Sequence, residues 1–276
     1  MTKISIIVPS FNQGQYLEQT LKSILNQHYA DVEILVMDGG STDNSVEIIK
    51  KYAPHIAYWQ SQKDNGQSDA INQGFRKATG EIVTWLNSDD VLLPGTLAIV
   101  DEYARKYPDT QWFLGNLLWM DKEGHVIRVG RVEKESHFWN SHYMFPNGGP
   151  TAFMRREHLL EIGALREDFH YMMDTELWHR YISLGDYFKR IPQYCWGFRL
   201  HEAAKMSGHN FKDSKLADPN HPSWKQKNWE STYIAEHYPV KPWLLKIWSF
   251  WRIPGTVLFS RITDRHLLGR NILSSL

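Results

Sequence analysis

Two carboxylates, Asp89 and Asp90, stand side by side where the β-type run 81–86 gives out, and Pro94 marks a turn just beyond them. Adjacent like charges are unfavourable unless a cation or hydrogen-bond donors neutralise them. Oxygen ligands with few waters displaced suit Mg²⁺ or Mn²⁺ held jointly with a diphosphate. Taken alone, the same pair reads equally well as a solvated turn. A further acid, Asp38, follows the β-branched run 32–37 and opens an Asp-Gly-Gly break.

The elements that must position these acids alternate. Residues 4–8 form a short β-branched run that ends at Pro9, the pattern of a buried parallel strand. Leu17, Leu21, Ile24 and Leu25 recur at helical spacing, then come the strand 32–37 and a helix with Val46, Ile49 and Tyr52 facing the core. Asp43 or Asn44 is placed to cap that helix. A weaker strand at 56–59, a helix carrying Ile71, Gly74, Phe75 and Ala78, the strand 81–86 and a helix after Pro94 complete the series. Such alternation implies a mainly parallel sheet covered on both faces. Ligands bind such sheets at the carboxyl ends of the strands, so Asp38 and Asp89 should converge on one rim.

Beyond residue 110 the pattern changes. Residues 111–131 read as strands with a hairpin at Lys122-Glu123-Gly124, and Asn147-Gly148-Gly149-Pro150 reads as a loop before a helix at 155–162. Residues 174–184 are helical in pattern, 194–200 strand-like, and 203–230 polar enough to read as a mobile loop or linker.

The formal charge is zero, which argues against a general nucleic-acid binder. The balance is uneven: residues 240–276 carry six basic residues against Asp264 alone. Cys195 is the single cysteine, which excludes an intrachain disulfide and a multi-cysteine metal site. Neither a secretory leader nor a run of about 18 apolar residues is visible, so the expected location is cytoplasmic. The 12 Trp, 13 Tyr and 12 Phe are numerous enough to line a sugar site as well as a core.

Three segments in order resemble the successive motifs of the family-2 glycosyltransferases: Val8-Pro9-Ser10-Phe11-Asn12, Asp38-Gly39-Gly40-Ser41-Thr42-Asp43, and Trp85-Leu86-Asn87-Ser88-Asp89-Asp90. The stretch from Asp64 to Gly74, which holds Asp69, fits the same family between the second and third. The resemblance covers roughly residues 4–207. It implies an α/β GT-A type fold, with a nucleotide-binding half at about 1–110, an acceptor half at about 111–215 and a helical, basic-aromatic extension over 216–276. It also implies an inverting glycosyltransferase that uses a nucleotide-sugar, UDP-sugar foremost, with GDP- or dTDP-sugar as alternatives.

Carried over by position, the resemblance places Pro9, Phe11, Asn12 and Asp69 at the nucleotide-sugar and Asp38 on its base or ribose. Asn87, Ser88 and Asp89 would form the metal–diphosphate element, in which Asn87 replaces the family's first acid and leaves open which of Asp89 and Asp90 binds the metal. Asp174, within Met172-Met173-Asp174-Thr175-Glu176, matches the family's general base, with Met173 standing where another acid often sits. A carboxylate at a helix N-terminus stays ionised and can take the proton of an acceptor hydroxyl; the plainer reading is that Asp174 only caps its helix. Arg199, His201 and Lys205 resemble the closing segment, with His201 as a third metal ligand and the two cations on the phosphates. The implied cofactor is Mn²⁺ or Mg²⁺.

Residues 241–270 join Trp and Leu to Lys and Arg, a composition suited to the bilayer interface. A helix folded back on the catalytic domain or a homodimer contact is the rival reading. Membrane attachment would suit a glycan or lipid-linked acceptor in surface polysaccharide synthesis, on the cytoplasmic face. Two other functions compete: an inactive sugar- or lipid-binding module that keeps the fold, and a nucleotidyltransferase. The latter is disfavoured because Ser10-Phe11-Asn12-Gln13-Gly14 is poor in both glycine and basic residues.

Overall fold

Strand β1 (Ile4–Ser10) is buried along its whole length, as a strand sandwiched between two helical layers must be. Its side chains alternate: Ile4, Ile6 and Val8 join one apolar cluster and Ile7 joins the other. Strand β2 (Val32–Asp38) repeats this, with Ile34 and Val36 on the first side and Leu35 and Met37 on the second. These coordinates are a computed structural model, which describes residues 1–132, 152–202, 204, 222–240 and 264–276.

Helices α1 (Gly14–Leu25), α2 (Ser45–Tyr52) and α4 (Thr96–Lys106) cover the first face through Leu17, Leu21, Ile24, Ile49, Leu97 and Val100. Helix α3 (Gln67–Lys77) covers the second through Ala70, Ile71 and Phe75. It lies so close to β1 that a Cβ on Gly74 would stand 2.5 Å from Ile7, so glycine is required there. Helices α5 (Arg156–Glu161) and α6 (Met173–Ser183) complete that face. Within it, Trp112 and Trp178 stack at 4.9 Å between ring centres, and Trp85 stacks on Trp178 at 6.1 Å. Much of the aromatic load is therefore core.

The sheet order is β3-β2-β1-β4-β8-β6-β9-β5, where β3 is Tyr58–Ser61, β4 Ile82–Trp85, β5 Val91–Leu92, β6 Trp112–Met120, β8 Ala152–Arg155 and β9 Lys189–Arg199. Strand β7 (Val126–Gly130) pairs with β6 across the turn at 121–125, the expected hairpin. The first four strands in the order, β3 to β4, are parallel, as alternation requires. Beyond β4 the sheet is mixed: β8 is antiparallel to both its neighbours, while β9 runs parallel to β6. A short hairpin can only join antiparallel strands, so this half departs from the regular β-α-β scheme.

Part of the stretch expected to be a mobile linker is a helix, α7 (Pro222–His237). Proline opens it, where its missing N–H costs nothing. Its apolar residues form no continuous stripe, so periodicity does not reveal it; tertiary contacts hold it instead. Asn147-Gly148-Gly149, Lys205 and residues 241–263 of the C-terminal stretch lie outside the described residues.

Candidate active site

A cavity of about 670 Å³ opens at the carboxyl ends of β1, β2 and β4, bounded on its far side by the segment that enters α6. Pro9 and Phe11 reach it from the end of β1; Asn87, Ser88 and Asp89 reach it from the end of β4. Phe11 is 60 % exposed, unusual for a phenylalanine without a surface to cover. Asp174 faces the same cavity from the first turn of α6. Two acids that are far apart in sequence thus share one space.

The acidic turn is built rigidly. Asp90 N–H donates to Asn87 O at 3.0 Å, and Thr20 Oγ1 on α1 lies 2.9 and 2.7 Å from the carbonyl oxygens of Ser88 and Asp90. The two carboxylates then part company. Asp90 is 1 % exposed and accepts from Arg199 N–H at 2.9 Å, Asn87 Nδ2 at 3.0 Å and Trp196 Nε1 at 3.3 Å. Burial pushes its carboxyl well above the usual carboxylate range and the charge of Asp89 pushes the same way, against the pull of these donors. Asp89 stays at the cavity, with Oδ2 3.0 Å from His201 Nε2. Of the two acids left open by the motif, Asp89 lines the cavity and Asp90 is turned into the protein.

Arg199 differs from the expectation of a phosphate contact. It is 1 % exposed, and its guanidinium donates to Asp89 O, Lys122 O and Gln19 Oε1 at 2.7 to 2.8 Å while lying against the Tyr16 ring. Each of the three guanidinium nitrogens donates to the chain itself, so Arg199 welds the acidic turn to β9. His201 is similarly enclosed, its ring 4.7 Å from that of Tyr16.

Asp38, Asn12 and Asp69 lie near the rim without lining the cavity. Asp38 accepts from the N–H and hydroxyl of Ser41 and from Ser61 Oγ at 2.5 to 2.9 Å, with Gly40 N–H at 3.2 Å. Asn12 adopts a left-handed φ of 52° and ties its N–H to Ser41 Oγ and its Oδ1 to Thr42 N–H. Asp69 accepts from Asn65 N–H and Gln73 Nε2, both at 3.0 Å.

Several cavity residues were not singled out from the sequence. Lys63, Asp64 and Gln67 line it beside Gly39, yet they fall within or next to the 64–74 motif, which was the available signal. Asp64 packs so tightly on Gly39 that a Cβ there would meet its Oδ2 at 2.7 Å. Burial raises the Asp64 pKa; the Gly66 N–H opposes this, and the charges of Asp69 and Asp38 add to it. His170 and Tyr171 line the opposite side, for which no motif exists.

Asp174 is the second residue of α6, after Met172 as N-cap, and its Oδ1 accepts from Thr175 N–H at 2.7 Å. Met173 is 7 % exposed and packs in the apolar cluster with Ala70 and Trp178 while also lining the cavity. Glu176 points elsewhere, 2 % exposed and bound to Arg180 and Tyr238.

A divalent cation can be tested against these side chains. Neighbouring ligand atoms of an octahedral ion at about 2.1 Å lie about 3 Å apart, which is the separation of Asp89 Oδ2 and His201 Nε2. Among the described residues no cluster of three His, Cys, Asp or Glu could hold a metal by itself. The separation fits two neighbouring ligands of one ion as well as it fits a hydrogen bond, and the pair alone would fill only two of the ion's positions.

Comparison with known proteins places these features in context. Residues 5–162 match the model of Glycosyl transferase family 2. A GalNAc(5)-diNAcBac-PP-undecaprenol beta-1,3-glucosyltransferase of Campylobacter jejuni is 33% identical over 186 residues, covering 64% of this chain and 59% of the relative. An uncharacterized glycosyltransferase of Nostoc sp. is 41% identical over 103 residues, 36% of this chain and 32% of that one. The chain thus spans less than two thirds of either relative. S. aureus TarS 1–349, solved in complex with UDP-GlcNAc, superposes with a TM-score of 0.62 at 17% identity, covering 95% of this chain and 77% of that one. The likeness shows a shared GT-A type fold.

Proposed function

The chain belongs to glycosyl transferase family 2, and from that premise we propose that it moves a sugar from a nucleotide-diphospho-sugar, UDP-sugar foremost, to a hydroxyl of a glycan or lipid-linked acceptor, with inversion. One observation carries this reading: Asp89 and Asp174 open onto a single cavity at the strand ends. Diphosphate binding and acceptor deprotonation each call for an acid at one shared site.

In this mechanism Pro9 and Phe11 flank the base, with Asp38 holding the loop that faces it. The acceptor oxygen attacks the anomeric carbon while Asp174 takes its proton. The bond from that carbon to the diphosphate breaks, and its electron pair leaves with the β-phosphate oxygen. A divalent cation held by Asp89 and His201 supplies positive charge to the diphosphate when bound. Walls such as Trp85 and Phe198 exclude water and so limit hydrolysis.

The acceptor class draws support from the Campylobacter jejuni relative, whose name specifies a polyprenyl-diphosphate-linked glycan. Residues 241–270 would meet the cytoplasmic face of the membrane, with a second copy of the chain as the alternative partner. No helix among the described residues is long and apolar enough to cross a bilayer.

Turnover of radiolabelled UDP-sugars by wild type and Asp174→Asn tests the proposal. Transfer or slow hydrolysis by wild type, reduced about a thousandfold in the variant with UDP binding intact, is expected. Wild type that binds UDP yet consumes no donor would leave a binding module that kept the fold.

A further inference from the structure

Helix α7 brings a carboxylate to the edge of the cavity in a way that the transfer reading does not use. Glu230 is 0 % exposed. Its Oε1 accepts from His170 N–H at 2.6 Å, its Oε2 from Met172 N–H at 2.7 Å, and Tyr171 N–H reaches both, at 2.9 Å to Oε2 and 3.2 Å to Oε1. Gln226, one turn earlier on α7, donates its Nε2 to Oε1 at 2.8 Å and to Asp168 O at 2.9 Å. A buried charge is tolerated only when its oxygens are fully hydrogen-bonded, and here three successive backbone donors and a side-chain amide do that. The carboxylate also stands at the N-terminal end of α6, where the helix dipole favours it.

The position of this contact gives it consequence. The residues whose N–H groups it holds are the last three before α6, and His170, Tyr171, Met173 and Asp174 all face the cavity. Asp174 is two residues past the last clamped amide. Apolar contacts fasten the same segment to α7: the Phe169 ring lies 5.3 Å from that of Trp229 and 5.4 Å from that of Tyr233, and the Arg166 guanidinium lies 4.2 Å from the Tyr233 ring. One turn further along α6, Tyr238 OH donates to Glu176 Oε1 at 3.1 Å. Helix α7 and Tyr238, the residue that follows it, therefore grip both the entry and the first turns of α6.

We propose that Glu230 is a positioning residue: by fixing the backbone of residues 170–172 it sets the far wall of the cavity and aims the Asp174 carboxylate into it. The aiming of Asp174 rests on the transfer reading above, whereas the clamp itself does not. The nucleotide side is shaped from the ends of β1, β2 and β4, whereas the hydrogen bonds of Glu230 described above go to residues 170–172 and Gln226. Loss of the clamp should therefore disturb turnover and leave nucleotide binding alone.

The experiment compares the full chain with Glu230→Gln and Glu230→Ala in three measurements: UDP affinity, kcat and KM with UDP-sugars, and amide hydrogen exchange over 168–175. In Glu230→Ala, exchange at 170–172 should rise about tenfold or more while strand β1 stays protected. The kcat should fall about ten- to a hundredfold with UDP affinity within about twofold of wild type. Glu230→Gln keeps one accepting oxygen and should lie between the two. Unchanged exchange at 170–172 in both variants, unchanged kcat, or UDP affinity falling in step with kcat would each overturn the proposal. A wild type that consumes no donor would remove the transfer reading, and the clamp would then be decided by the exchange measurement alone.

Discussion

Asn87 Nδ2 donates to Asp90 Oδ2 at 3.0 Å while its own Oδ1 accepts from Gln67 Nε2 at 2.8 Å. The amide is thus an adaptor between a buried acid and an amide donor on α3, and only a side chain with one donor and one acceptor end can serve both. This accounts for the missing first acid of the turn. A carboxylate at 87 would turn an oxygen on Asp90 and give it no hydrogen. Asn87→Asp should therefore lower stability by about 1–3 kcal/mol at pH 7 without raising Mn²⁺ affinity. Urea midpoints and metal titration check this; a variant as stable as wild type would contradict the adaptor role.

Arg199 yields a prediction of a different kind. Its donors bind Asp89 O, Lys122 O and Gln19 Oε1, and it is buried. Lysine cannot reproduce that fork, so Arg199→Lys should cost about 2–4 kcal/mol of stability. The folded fraction should still bind UDP. A stable variant with weakened UDP binding would restore the phosphate contact expected from the motif.

The contrast between these residues shows what the amino-acid order could reveal. Periodicity and strand-end reasoning bring Asp38 and Asp89 to one rim, where Asp38 closes β2 and Asp89 stands four residues past the end of β4. Those patterns carry no information on which way a carboxylate turns once the loop closes. Asp38 is drawn into hydrogen bonds with Ser41 and Ser61, and Asp90 into bonds with β9. Arg199 and Asp90 became partners through β9 pairing with β5 and β6, a topology that alternation does not encode. Glu230 was less legible still. It lies in a helix without a one-sided apolar stripe, and its partners are 58 to 60 residues away in the chain.

Acid should weaken the nucleotide half through Glu33. Burial raises its pKa, but hydrogen bonds from Ser5 Oγ, Thr79 N–H and Thr79 Oγ1, with Lys3 nearby, outweigh it and bring the carboxyl down to about 2. A carboxyl depressed in the folded state contributes stability that is complete above its ordinary pKa and is lost as pH falls from about 4.5 towards about 2. Glu33→Gln should cost on the order of 2 kcal/mol at pH 7. The gap between the urea midpoints of wild type and variant should narrow on going from pH 5 to about 3. A gap that stays constant over that range would show that shape, not charge, matters at this site.

The pairing of Asp89 with His201 carries the metal prediction. Their 3.0 Å contact suits either a hydrogen bond or two neighbouring ligands of one ion, and the two states respond oppositely to mutation. If the pair holds an ion together with a diphosphate, Mn²⁺ and UDP should each stabilise the protein more in the presence of the other. With ligands about a hundredfold above their dissociation constants the stabilisation is about 2.7 kcal/mol, or roughly 5 °C in Tm for a chain of this size. Asp89→Ala should abolish the Mn²⁺-dependent part, and His201→Gln should reduce it. If the contact is only a hydrogen bond, both variants lower Tm by similar amounts with or without Mn²⁺, and UDP stabilises all three proteins regardless of the metal. The second pattern would leave the acidic turn as a structural joint and move the burden of the diphosphate to a lysine that lines the cavity, Lys63.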